Sequence, residues 1–175
     1  MLIESTNYKI RKLVITDSIS LFKNYKGNKH CAKYLNSTLH TDLKETQALI
    51  NKCLSNYQIN KPSTLIFAVV SPNTDEVIGL IVFVFKETYA EIHFGISHKF
   101  SGFGIATAIC KDGITWLKNR GFTEIRTQPH QDHCASLRVL TKCGFKNHGL
   151  LYDFAIFPQL VSTTQNCVDM RLKFK

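Results

Sequence analysis

The sequence predicts an α+β fold, an α/β sandwich in which a mixed central sheet of about six to seven strands, mostly antiparallel with one parallel pair, is flanked by helices. Three observations carry this. Residues 63–70, 77–85 and 89–97 are apolar runs joined by short polar turns, which makes an antiparallel meander. The third run leads through a glycine-rich turn into a helix and then a strand at 122–127, and a strand–helix–strand unit calls for a parallel pairing. A further short helix is followed by two last strands, 145–151 and 167–174.

The elements follow in order. Residues 8–15 alternate as a strand. Thr16-Asp17 offers a helix N-cap, 18–25 form a short helix, and Gly27-Asn28 breaks it. Residues 29–35 read as a second short helical piece, and 36–41 as a polar turn. Asp42-Leu43-Lys44-Glu45 has the form of a capping box. Leu43, Thr46, Ile50, Cys53, Leu54 and Tyr57 then recur at helical spacing, so an amphipathic helix runs to about Gln58 and ends at Asn60-Lys61-Pro62. Pro72-Asn73-Thr74-Asp75 is turn chemistry between the first two meander strands. The helix after the glycine turn spans 105–120, buries Ile105, Ile109 and Trp116, and stops at Gly121. Residues 134–142 form the last helix, its end marked by Gly144. Between the final strands, 153–166 reads as a long loop containing Pro158, and long loops in compact domains often line sites. No internal repeat, low-complexity tract or linker interrupts the chain, so residues 1–175 are expected to form one domain.

Composition narrows the classes. The chain is 44% apolar and 20% charged, enough to bury a core rather than remain disordered. No apolar run approaches the ~20 residues that cross a bilayer, and the N-terminus shows no apolar run of signal-peptide length. A cytoplasmic location and no membrane partner are therefore expected. The six cysteines include no C-x-x-C pair and are expected to be free, small and buried. His130-x-x-His133-Cys134 is the single cluster with ligand-like spacing, and no metal is expected there. The formal charge of +9 favours anionic partners, but Lys and Arg are dispersed and no aromatic RNA-binding motif is present, so nucleic acid is not expected as a partner.

The most informative stretch is 90–107, AEIHFGISHKFSGFGIAT. A strand feeds a Gly-rich turn and then a helix N-terminus. The first N–H groups of a helix lack partners and lie at the positive end of its dipole, so Ser101, Gly102, Phe103, Gly104, Ile105, Ala106 and Thr107 form a candidate phosphate cradle.

Residues 91–107, together with Cys134-Ala135-Ser136-Leu137-Arg138-Val139-Leu140, Lys142 and Gly144-Phe145, resemble the two halves of the GCN5-related N-acetyltransferase (GNAT) signature. The second half is spelled as in the ribosomal-protein N-terminal acetyltransferase (Rim-type) branch. Thr16-Asp17, Ile78-Gly79 and Asp169 also sit where that branch has similar residues. The resemblance spans essentially the whole chain. It implies a GNAT fold whose parallel strand pair splays to admit the pantetheine arm of acetyl-CoA, the expected co-substrate. A bulge commonly produces the splay, and Gly95 would tolerate one; close packing under a helix is the equal alternative. The backbone of Phe94, Gly95 and Ile96 would meet the pantetheine amides and the thioester oxygen, and the 101–107 turn the pyrophosphate. Ser101 and Phe103 depart from the Gln/Arg and basic residues usual in that turn, leaving recognition to backbone amides with charge from elsewhere, such as Lys99 or Lys142.

The resemblance also assigns roles in acetyl transfer. Glu91 stands where relatives place a general base; apolar strand neighbours would raise its pKa, while the alternative is strand anchoring or binding of a substrate ammonium. His93, on the same strand face, is expected to tune Glu91, meet substrate or pack. Leu140 occupies the usual place of the tyrosine that protonates the departing thiolate, which leaves Ser136 as the candidate acid and cofactor contact, with helix capping as its alternative. His133 replaces the family's usual Asn near the cofactor, with a surface position equally open. Cys134 carries no sign of activation, so direct transfer is expected.

These points imply an acetyl-CoA-dependent N-acetyltransferase whose acceptor is a protein N-terminal amine first, and a polyamine, amino acid or antibiotic second. Its pocket is expected from the helices between Asp17 and Tyr57 and the 153–166 loop. A monomer or homodimer is expected. The rival reading is a non-catalytic acyl-CoA sensor.

Overall fold

A computed structural model describes residues 1–174. All eight strands join one sheet in the order β1-β2-β3-β4-β5-β6-β8-β7: β1 Ile3–Glu4, β2 Lys9–Arg11, β3 Thr64–Val70, β4 Val77–Phe85, β5 Ala90–Ile96, β6 Glu124–Thr127, β7 Lys146–Phe157 and β8 Val161–Lys173. Every pairing is antiparallel except β5 with β6. The five helices are α1 Ser18–Leu21, α2 Lys29–Ala32, α3 Leu43–Asn56, α4 Ile105–Asn119 and α5 Cys134–Lys142. The predicted α+β fold is therefore present, with one strand more than expected because the two-residue β1 pairs Ile3 with Ile10 and Glu4 with Lys9.

Two cores lie on opposite faces of the sheet. On one, Ile105, Ile109 and Leu117 of α4 pack with Phe67, Phe83 and Ile92. Trp116 is half-buried there rather than buried, lying against Phe83 with ring centroids 4.7 Å apart. On the other, Leu21 and Tyr25 pack with Ile50 and Cys53 of α3 against Leu13, Val77 and Leu80. The alternation along β5 follows: Ala90 and Ile92 face α4, while Glu91, His93 and Gly95 face the side of α1 to α3.

Local chemistry explains the boundaries. Asp42 caps α3 by accepting from Lys44 N, and Glu45 reaches back to the Asp42 N–H, the predicted capping box. Asn28 caps α2 by accepting from His30 N at 3.0 Å. The expected first helix is interrupted: α1 passes into a π-helical turn at Phe22–Lys26, and α2 ends at Ala32 rather than reaching residue 35. Asp17 accepts from Val14 N and holds Arg11 through two contacts of 2.8 Å, while buried Asp169 pairs with Arg171.

The largest departure is at residues 153–166. They are not a loop: β7 and β8 form a long hairpin closed by the tight turn around Pro158, where Leu160 N donates to Phe157 O. Tyr152, Phe154 and Ile156 alternate with Asp153 and Ala155, opposite the β-branched run of β8, a two-residue period interrupted by register shifts and a left-handed Asp153 (φ 46°). Of the cysteines, all free, Cys134 is exposed and Cys31 and Cys143 are half-buried, so only Cys53, Cys110 and Cys167 fit the buried expectation.

Candidate active site

β5 and β6 pair only at Ala90 with Ile125 and Glu91 with Arg126. Beyond that point β5 continues to Ile96 without a β6 partner, so the sheet opens between them. Ser97 N donates to Ile78 O, which by the alternation of an antiparallel ladder turns the main chain of Glu91, His93 and Gly95 toward β4 and that of Phe94 and Ile96 toward the opening. Of the three expected backbone contacts, Phe94 and Ile96 face the gap and Gly95 does not. Nor is there a bulge at Gly95: the β4–β5 register runs unbroken from Gly79 with Ile96 to Phe85 with Ala90. The missing side chain serves packing instead, since a Cβ there would overlap the Tyr25 hydroxyl.

Below the opening, the glycine turn leads into α4. Gly102 (φ 88°) and Gly104 (φ 77°) are left-handed, a conformation that penalises other residues, and a Cβ at either would meet nothing within 4 Å. Gly104 caps α4 with no side-chain acceptor, so the N–H groups of Ile105, Ala106 and Thr107 are offered outward at the helix N-terminus. Ser101 and Phe103 are exposed, Phe103 at 74%. Lys99 and Lys142 are also exposed, neither in an ion pair among the described residues. α5 leans on this region through Cys143, whose thiol contacts Thr107 O at 3.6 Å.

Glu91 and His93 sit on the other face of β5. Glu91 Oε2 lies 3.4 Å from His93 Nε2, and Oε1 3.9 Å from Lys86 Nζ. The hydrogen bond to His93 outweighs burial and, with the nearby positive charges, holds the Glu91 carboxyl below its ordinary range. The expected rise in its pKa is overturned, because the apolar neighbours that would have raised it face α4. Ser136 is half-buried in the first turn of α5. His133 precedes that helix and does not cap it; its ring stacks on Tyr34 with centroids 4.3 Å apart. Burial, with His130 and Lys33 nearby, lowers His133 to about 4, so it is neutral at pH 7. Leu140 is buried in the core, fully removed from acid chemistry. His130, also against Tyr34, is buried, and among the described residues no group of three or more His, Cys, Asp or Glu converges as a metal site.

Sequence reasoning named the two segments, 17–57 and 153–166, that wall a cleft beside α2, but not its individual residues, and it missed Tyr34. Lys29, His30, Lys33, Leu39, Gln159 and Leu160 wall about 410 Å³. His30 lies against His98, just past β5, with centroids 5.3 Å apart, and Lys33 Nζ sits 5.1 Å from the Tyr34 ring centre. The cleft thus borders the segment that follows β5 and, through Tyr34, the residue that precedes α5. Neither α2 nor the hairpin tip carries a motif that could have singled out those residues within the two segments.

The arrangement offers backbone amides for a polyphosphate, free main-chain groups for an extended amide-bearing arm, and an ionised carboxylate on the far side. Residues 8–146 match the family model described as an acetyltransferase (GNAT) domain. No curated protein sequence matches the chain. Among solved structures, the chain is similar to the microcin C7 self-immunity acetyltransferase in complex with acetyl-CoA and AMP (15% identity, TM-score 0.85, covering 97% of this chain and 94% of that one). It is similar to an acetyltransferase from Salmonella typhimurium that modifies the N-terminal serine of 50S ribosomal subunit protein L7/L12 (17%, 0.84, 100% of both). A third similar structure is the spermidine N-acetyltransferase from Vibrio cholerae with CoA and spermine (16%, 0.78, 97% and 96%).

Proposed function

We propose, from the premise that the chain belongs to the GNAT acetyltransferase family and is an acetyl-CoA-dependent N-acetyltransferase, that its acceptor is a protein N-terminal amine. The observation that carries the reading is the opening between β5 and β6, set between the amides of α4 and the ionised Glu91. The Rim-type spelling at Cys134 to Phe145 supports a protein acceptor. A polyamine fits the adjoining cleft less well: its walls carry Lys29 and Lys33 and no carboxylate.

Acetyl-CoA supplies an acetyl thioester, whose thiolate is a far better leaving group than an amide nitrogen or an alkoxide. The amides of Gly102 to Thr107 hold its pyrophosphate without side-chain charge, and the main chain of Phe94 and Ile96 orients its arm. An N–H of that pair, aimed at the thioester oxygen, stabilises the charge that develops there. Glu91 stays ionised at neutral pH, so it orients the acceptor ammonium and takes its proton together with His93. In this reading Ser136, in the first turn of α5, protonates the departing sulfur. Direct transfer to the amine is the route this reading takes, with Cys134 exposed and given no role. The same reading has the enzyme act in the cytoplasm as a single domain.

The test is incubation with acetyl-CoA and cell extract, followed by mass spectrometry of acetylated peptides and metabolites. Acetylated protein N-termini are the expected products. If only small amines are acetylated, the acceptor assignment falls. If acetyl-CoA binds but no amine in a broad panel releases thiol, a non-catalytic sensor replaces the enzyme.

A further inference from the structure

The cleft beside α2 has a chemical character of its own. Lys29, His30 and Lys33 project from one short helix and its C-terminal flank, and no acidic side chain lines the walls they share with Leu39, Gln159 and Leu160. Behind that wall, Lys26 is 7% exposed, donates to Ser37 Oγ at 2.9 Å, and makes no ion pair among the described residues. The acidic groups nearby are committed elsewhere: Glu45 accepts from Thr41 N, and the Asp132 carboxylate lies toward His130. Uncompensated positive charge in a concave site attracts an anion. Gln159 adds direction. Its Nε2 donates to the Ser37 carbonyl at 3.2 Å, which fixes the amide and leaves Oε1 as the buried atom. Oε1 has no donor among the described residues. It is sealed from solvent as it stands, so it meets a ligand N–H only when the Gln159 side chain turns into the cleft, which would relieve an unpaired acceptor.

We propose that this cleft reads the acceptor peptide beyond its reacting amine and selects an acidic residue within the first few positions, with the carboxylate between Lys29 and Lys33 and a peptide N–H donating to Gln159 Oε1. The proposal rests on the protein N-terminus reading above. The cleft borders His98, which follows β5, and Lys33 beside Tyr34, which stacks on His133 ahead of α5, so it flanks the elements that frame the opening, on the sheet face that carries Glu91. A volume of about 410 Å³ is of ordinary size for a ligand pocket.

The test uses three peptides with the same N-terminal residue and Ala, Asp or Lys at positions 2 to 4, with kcat and KM read from thiol release. The Asp peptide is expected to exceed the Ala peptide about fivefold in kcat/KM, through KM, with the Lys peptide lowest; each exposed charge pair supplies a few-fold at most. The advantage shrinks as salt rises. The double reversal K29E/K33E, checked for native circular dichroism and acetyl-CoA binding, inverts the order to favour the Lys peptide. Q159L lowers kcat/KM for all three by about fivefold, one hydrogen bond's worth. Equal kcat/KM for the three peptides, or an order that survives the reversal, overturns the proposal while leaving the N-terminal acetyltransferase reading standing. If no peptide is acetylated while small amines release thiol, the N-terminus reading itself falls and takes this proposal with it.

Discussion

The turn before α4 is contiguous in sequence and presents main chain: two left-handed glycines, an unoccupied space where side chains would be, and amides at a helix N-terminus. The cleft beside α2 gathers residues far apart in the chain, on α2, the segment after it and the β7–β8 tip, and presents side chains. The first end can tolerate Ser101 and Phe103 where relatives carry other residues, because amides do not depend on side-chain identity. The second end takes its character wholly from which side chains are present. Cofactor recognition is thus expected to be robust to substitution and acceptor recognition sensitive to it.

Four experiments press on that contrast. The largest effect belongs to the side-chain half: E91Q should lower kcat/KM about 100-fold at neutral pH, the range of general acid–base groups, with partial recovery at high pH where the amine is already free. Because the Glu91 carboxyl is held low, the acid limb of the wild-type profile should follow the acceptor's α-amino group, near ~7.7–8.0, rather than Glu91. An unchanged rate in E91Q would remove it from the chemistry.

Next comes His133, measured as stability against pH. Its folded pKa of about 4 is below the unfolded value of 6.5, so the unfolded chain binds the extra proton first. The neutral ring's contribution is complete above pH 6.5 and is lost as pH falls toward 4, by roughly 2 kcal/mol at pH 4.5. H133N should flatten that part of the denaturation profile; parallel profiles for the two proteins would show that His133 is not the group responsible.

The backbone half should respond only when the backbone is disturbed. G104V places a β-branched residue at a φ of 77° and should raise KM for acetyl-CoA about tenfold, with KM for the amine little changed. Smallest of all, S101A and F103A should each alter KM for acetyl-CoA less than about twofold, since both side chains are exposed. A large effect from either would break the contrast, and would mean that this turn recognises its ligand through side chains after all.

By itself the sequence determined the meander, the glycine turn, both long helices and the family. Each depends on interactions between near neighbours: the continuous apolar run of β4, the capping box at Asp42 and Glu45, the Gly-x-Gly before Ile105. It also placed Glu91 and His93 on one face of their strand. Only the tertiary structure decided what those residues meet. Gly95 was compatible with a bulge or with close packing, and Tyr25, seventy positions earlier, settled it. Glu91 was expected to be raised by apolar neighbours, but a strand's two faces see different surroundings, and its own face holds His93 and Lys86. Residues 153–166 looked like a loop because exposed β-strands carry a weak apolar pattern, and their pairing depends on a partner strand. That hairpin carries Gln159 to α2, so the acceptor cleft exists only in three dimensions: charge and hydrogen-bond partners depend on distance through space, which no local pattern encodes.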